Sequence, residues 1–179
     1  MAECIAQPLS RRDIRRKADL IRRIEGSSNK LYFDIIHFLE ITLPQIDPKF
    51  SLVINSESEM GECHGLTYPE RDEIQIREDV YERACEGSGR DRLTMAHELF
   101  HLLQHTRENI SFARMEGKAK TYMDPEWQAD AFGGELLIPK ELTGGMSAPE
   151  IAIKCGVSLA AARFQMNRSL IFKLKSFYI

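Results

Sequence analysis

Residues 95–105 read MAHELFHLLQH, and this stretch constrains the chain more than any other. Three of the chain's five histidines fall within nine of its positions. On a helix each residue advances about 100° around the axis, so with His97 at zero His101 falls at about 40°, His105 at about 80° and Glu98 at about 100°. Ala96, Leu99, Phe100, Leu102 and Leu103 fall on the other side. The pattern predicts an amphipathic helix with an apolar back and a stripe of imidazoles stacked one turn apart. Histidines that merely filled a core would be mixed among the apolar positions, and these are segregated from them. His97, Glu98 and His101 also spell H-E-x-x-H. That spacing lets two imidazoles hold one zinc ion while the glutamate projects beside it, within reach of a proton.

The chain has 179 residues, enough for one domain with a sizeable core, or one domain with a small appendage. With 43% hydrophobic and 28% charged residues its composition is that of an ordinary globular protein. No segment has the apolar length of a membrane-spanning helix, and MAECIAQPLSRRD at the start lacks a hydrophobic signal core, so a cytoplasmic protein is expected. Cys4, Cys63, Cys85 and Cys155 are scattered without a C-x-x-C pair, which argues against a disulfide framework. Cys63 beside His64 has the chemistry of a soft ligand, but an idle thiol is the simpler reading. The 24 basic and 27 acidic side chains leave a net charge of −3, so any nucleic-acid affinity would have to be local.

Segment 10–25, SRRDIRRKADLIRRIE, has the spacing of a basic amphipathic helix, read first as a solvated face rather than a dock for an acidic partner or for nucleic acid. GSSN at 26–29 breaks it. A second apolar-rich helix follows in 30–44 and is expected to end near Pro44, with His37 as a packing residue. FSLVIN at 50–55 is a short run of strand length. Glu73, Ile74, Gln75, Ile76 and Arg77 alternate polar and apolar, the period of a half-exposed strand. This order of elements is an α+β plan.

A catalytic zinc takes three protein ligands and keeps one position open, so the chain must supply another. MDPEWQADAFGGELLIPK at 123–140 is the candidate: Asp124 before Pro125 reads as an N-cap with proline at the first helical position. Glu126 and Asp130 share a face with the small residues Ala129 and Gly133, which permit close approach to another helix. Either carboxylate has the reach to bind the metal. The arrangement makes sense if Glu126 is the ligand and Asp130 accepts a hydrogen bond from the second ring nitrogen of a liganding histidine.

H-E-x-x-H followed by E-x-x-x-D on a later helix resembles the gluzincin zinc peptidases. The finer pattern, T-M-A-H-E-L-F-H-L-L at 94–103 and E-x-x-A-D-A-F-G-G-E-L-L-I-P at 126–139, is similar to the ImmA/IrrE family of small cytoplasmic metallopeptidases. The likeness runs from about Arg11 to about Arg168 and includes R-x-K-A-D-L-I-R at the start. It implies a compact zincin-like fold over residues 1–140 with a small antiparallel or mixed sheet, followed by a C-terminal helical segment at 141–179. It implies the gluzincin order of roles, with the metal ligand first and the orienting aspartate four residues later. It also implies, as protein substrate, a helix-turn-helix repressor or antitoxin, in some relatives encoded next door, whose cleavage relieves repression. With the sequence ending at Ile179, the short ImmA-like form is the expected one.

The expected chemistry is zinc-assisted peptide hydrolysis, with manganese as an alternative ion in the cell: His97, His101 and Glu126 hold the metal and Glu98 handles the water's proton. Tyr122, His64 and His105 are candidates to stabilise the oxyanion. The strand Glu73–Arg77 is the candidate to pair with an extended substrate. Segment 147–168 looks like two helices about a turn at Gly156, with Ser147 and Glu150 as a capping box and Ser158 as a second cap. Its Arg163, Asn167 and Arg168 could reach nucleic acid, though Ala160, Ala161, Ala162 and Phe164 suit packing or substrate docking better. Two rivals therefore stand beside the peptidase: a DNA-binding regulator with a structural metal, and a toxin-type interaction module. An intact Glu98 argues against both.

Overall fold

The computed structural model describes residues 3–113 and 120–176. In chain order the elements are β1 (Glu3–Ala6), α1 (Arg11–Ile24), α2 (Ile35–His37), a π-helical stretch (Phe38–Thr42), α3 (Leu43–Ile46), β2 (Ser51–Asn55), α4 (Glu57–Met60) and β3 (Gly65–Tyr68). They continue with β4 (Glu73–Arg77), α5 (Glu78–Cys85), α6 (Gly89–Gln104), β5 (Ile110–Ala113), α7 (Pro125–Leu137), α8 (Ala148–Cys155) and α9 (Leu159–Ser176). The fold is α+β: a mixed three-stranded sheet in the order β2-β4-β3 and a two-stranded pair β1-β5, with helices supplying most of the mass.

Residues Glu73, Ile74, Gln75, Ile76 and Arg77 do form a strand, but not one that a substrate can join. β4 is the central strand, parallel to β2 with Leu52 opposite Ile74 and antiparallel to β3 with Thr67 opposite Ile74. Both of its rows of backbone groups are already paired, and strand addition requires a free row. Ile74 and Ile76 are buried, while Arg77 turns its guanidinium to Asp79 at 2.6 Å and to the Gly61 carbonyl at 2.6 Å. The edge strand beside α6 is β3, which a sliding apolar/polar pattern does not single out in HGLTY.

Pro44 also behaves differently from the expectation that it ends a helix. It sits in the first turn of α3, directly after the π-helical stretch, in which the Leu43 N–H donates to the Phe38 carbonyl five residues back. That wider turn breaks the regular ladder just where proline would remove a donor, so the helical path continues to Ile46.

The core lies between α1, α6, α7 and the inner face of the sheet. Met95, Ala96, Leu99 and Phe100 are buried on the back of α6, whereas Leu103, expected on that face, is 45% exposed. The approach of α7 to α6 is set by Gly133: a β-carbon there would lie 2.8 Å from Leu93 Cδ1 and 3.6 Å from Ala96 Cβ. α1 is fastened to α7 through Glu135, which takes Arg11 and Arg15 at 2.7 Å each, so two arginines of the basic helix serve an internal ion pair.

Two further arginines are buried outright, and both serve backbone carbonyls. Arg22 donates to Leu136 O at 2.6 Å, to Ser27 O at 3.1 Å and to Lys30 O. Arg92, on α6, donates to Phe33 O at 2.6 Å, to Cys155 O at 3.0 Å and to Gly156 O, and its guanidinium lies over the Tyr32 ring. Planar guanidinium groups suit this task because several donors fan out at fixed angles. The Arg92 bonds tie the turn between α8 and α9 to α6, and Gly156 holds that turn at φ 63°, a left-handed conformation natural to glycine. Ala162, Cys155 and Val157 are buried here, while Arg163, Phe164 and Asn167 are exposed. The Arg168 side chain lies outside the described residues.

Replacing Arg92 by Met strands the buried carbonyls of Phe33, Cys155 and Gly156. The expected loss is about 3 kcal/mol of unfolding free energy, read from urea denaturation midpoints.

Candidate metal centre

α6 starts at the N-cap Ser88, with Asp91 in its first turn held by Arg83 at 2.9 Å. From this fixed start the helix presents His97, His101 and His105 one turn apart, with successive ring centroids 4.7 Å from one another. α7 opens as its sequence predicts: the Asp124 side chain accepts from the N–H of Glu126 at 3.0 Å and of Trp127 at 3.5 Å, and Pro125 occupies the first turn. Glu126 is thereby placed at the end of α7 that faces the histidine stripe.

The ligand-type atoms of His97, His101 and Glu126 all lie within 4.8 Å of one another. His97 Nε2 is 2.9 Å from His101 Nε2, Glu126 Oε2 is 3.3 Å from His97 Nε2, and Glu126 Oε1 is 3.5 Å from His101 Nε2. In a tetrahedral zinc site with bonds of about 2.0–2.1 Å, neighbouring ligand atoms lie about 3.3 Å apart. The observed separations bracket that figure, so the three side chains fit a single ion. Asp130 Oδ1 is 2.9 Å from His97 Nδ1, on the far side of the ring from the other two.

The titration behaviour follows from these contacts. Burial works against a charge on His97, yet hydrogen bonds with Asp130 and Glu126 carry its pKa up to about 9. Burial and the neighbouring His97 charge push His101 down to about 4. The bond with His97 holds the Glu126 carboxyl below the ordinary range. The pair therefore holds one positive charge between two facing nitrogens, a place where a metal ion can substitute for the proton.

Glu98 lies one residue along α6, almost buried, and lines the same cleft of about 270 Å³ as His97, Asp130, His64, Gly65 and Thr94. Burial raises its pKa, while a hydrogen bond from Thr67 pulls the other way. Thr67 Oγ1 lies 2.7 Å from Glu98 Oε2, and a β-carbon on Gly65 would come within 2.6 Å of Glu98 Cγ. β3 thus sets where the Glu98 carboxylate can be.

Of the three oxyanion candidates, His64 lines this cleft. Tyr122 is 41% exposed with Lys120 near its ring, and His105 is 6% exposed beneath His101; neither is among the lining residues. Cys63 is exposed and belongs to no metal-type cluster among the described residues. Sequence reasoning passed over Thr67, Gly65 and Gln128. Threonine, glycine and glutamine carry no metal-ligand signal, and the site residues they meet, Glu98 for Thr67 and Gly65 and His105 for Gln128, lie at least 23 positions away along the chain.

Among the described residues no helix is long and apolar enough to cross a membrane. The chain has no match among curated proteins. Residues 53–167 do match a family model, the peptidase family described as the IrrE N-terminal-like domain. That match covers more than half of the chain and spans β3, α6 and α7 together, and the protein therefore belongs to the IrrE N-terminal-like peptidase family.

Proposed function

We propose that this chain is a zinc-dependent endopeptidase, with manganese as an exchangeable ion, whose ligands are His97, His101 and Glu126. The observation that carries this reading is the convergence of those three side chains on one point, with His97 sharing a cleft with Glu98. When bound, a zinc ion lowers the pKa of a water towards ~7 and polarises the scissile carbonyl. Glu98, with its carboxylate held by Thr67 and its pKa raised by burial, takes the proton of the attacking water and delivers it to the leaving amine nitrogen. Asp130 keeps the His97 proton on Nδ1 and so turns the Nε2 lone pair inward. His64 is the candidate closest to hand for stabilising the oxyanion.

An extended substrate adds as a strand to β3, since that edge runs beside Glu98 while β4 is enclosed. Strand addition selects a flexible linker or loop, which suits a helix-turn-helix repressor or antitoxin encoded nearby as the substrate. In this reading residues 1–140 form the peptidase domain and 141–179 a helical segment packed on it, with the exposed Arg163 meeting that substrate rather than DNA. The site of action is the cytoplasm.

Purified protein is expected to hold about one zinc per chain. Glu126→Ala empties the site, whereas Asp130→Asn keeps metal with affinity or activity reduced about 10–100-fold. Metal titrations of the two folded variants check this, and the reverse pattern would exchange their roles.

Against a neighbouring repressor, Glu98→Gln keeps its zinc and loses cleavage by about 10²–10⁴-fold. Gly65→Ala, which drives a methyl into Glu98, also keeps zinc and slows turnover on the order of 10²-fold. Cleavage assays paired with elemental analysis decide both. Full derepression by Glu98→Gln, abolished instead by Arg163→Ala, would transfer the function to DNA binding.

A further inference from the structure

His105 belongs neither to the cleft nor to the apolar back of α6. Its ring is buried against Phe100, edge to face at 5.3 Å, and both of its nitrogens have partners. Nδ1 lies 2.8 Å from His101 Nδ1, and Nε2 lies 3.0 Å from Gln128 Oε1. Gln128 is itself fully buried on α7, and its Nε2 donates to the carbonyls of Gln7 and Tyr122 at 2.8 Å each.

This chain of contacts has one consistent polarity. Two backbone carbonyls take both amide protons of Gln128, so the amide cannot be turned over and its oxygen must face His105. An acceptor in that place requires the proton of His105 to be on Nε2. A neutral imidazole carries only one N–H, so Nδ1 of His105 is a lone pair, and His101 must offer it an Nδ1–H. The lone pair of His101 is then left on Nε2, the nitrogen that faces His97 and Glu126.

We infer that Gln128 and His105 are positioning residues that fix His101 in the tautomer whose Nε2 is free to bind a metal, with the polarity imposed from the backbone carbonyls of Gln7 and Tyr122. The inference rests on the metal reading above. It gives His101 a buried, neutral counterpart to the exposed carboxylate that Asp130 offers His97, and it accounts for a third histidine that reaches no cleft.

The test reads tautomers and affinity, not activity alone. Nitrogen-15 NMR of the histidine rings in the zinc-loaded protein is expected to show His105 protonated on Nε2 and His101 on Nδ1. His105→Phe keeps the ring packing but removes the acceptor, and is expected to weaken zinc binding about 10–100-fold in chelator competition. His105→Gln restores an acceptor and is expected to recover most of that affinity, which a purely structural role would not produce. His105 protonated on Nδ1, or a folded His105→Phe that binds zinc as the wild type does, overturns the inference. If His105→Phe does not fold, Gln128→Met takes its place: mixed tautomers at His105 with weaker zinc binding support the relay, and an unchanged spectrum and affinity overturn it. If the wild type takes up no zinc, the metal reading fails, and the tautomer pair read in metal-free protein decides the relay by itself.

Discussion

Everything at the candidate site depends on how closely α7 can lie against α6. Glu126, Gln128 and Asp130 all project from α7, and each meets a histidine of α6 at hydrogen-bonding or ion-pairing distance. Carboxylates this short reach across only if the two helix backbones are near one another. Gly133 and Ala129 on α7 and Ala96 on α6 make that possible, and Leu93 already fills the space that a side chain at Gly133 would need. A larger residue there would push α7 outward along its whole length. The small-residue face and the three polar residues beside it are therefore one device.

The opposite faces of the same two helices are pinned. α7 is held to α1 by the Glu135 pairs with Arg11 and Arg15, and α6 is held to the α8–α9 turn and to Phe33 by Arg92. In each case a charge that would be costly to bury alone is matched by a carboxylate or by several carbonyls. Gly89 completes the fit, since a β-carbon there would lie 2.5 Å from Ser158 N. Helices anchored on their outer faces leave the inner faces fixed relative to one another, which a site needing separations of about 3 Å requires.

How much of this could be read in the sequence depended on the range of the interaction. Local signals held: the stripe His97–His101–His105 forms, Asp124 and Pro125 open α7, and Ser147 with Glu150 makes the capping box of α8. Signals set by distant partners did not. Alternation in Glu73–Arg77 identifies a strand, but whether it is central or at an edge depends on β2 and β3, and pleating looks alike in both cases. Pro44 reads as a stop because periodicity cannot foresee a π turn before it. The pairing of β1 with β5 joins residues more than 100 positions apart through four-residue strands too short to show a period. Gln128 reads as one more polar residue on a helix, and only its neighbours Gln7, His105 and Tyr122 give it meaning.

The two histidines that face each other are held from unlike surroundings, and the difference has an electrostatic logic. Asp130 is 70% exposed in its side chain, so its charge remains solvated while it supports His97. The position behind His101 is closed to water, and a carboxylate there would carry a heavy desolvation cost and would draw a second proton onto His105. A protonated His105 presents N–H on both nitrogens, and His101 would then have to place its own proton on Nε2, in the path of a metal. A glutamine whose amide is locked by two carbonyls orients the ring without adding charge. A dication bound by His97, His101 and Glu126 would meet the carboxylate of Glu126 directly and that of Asp130 through the His97 ring. Glu98 stands outside that trio, its carboxylate held by Thr67, as a group that is to take a proton beside the ion requires.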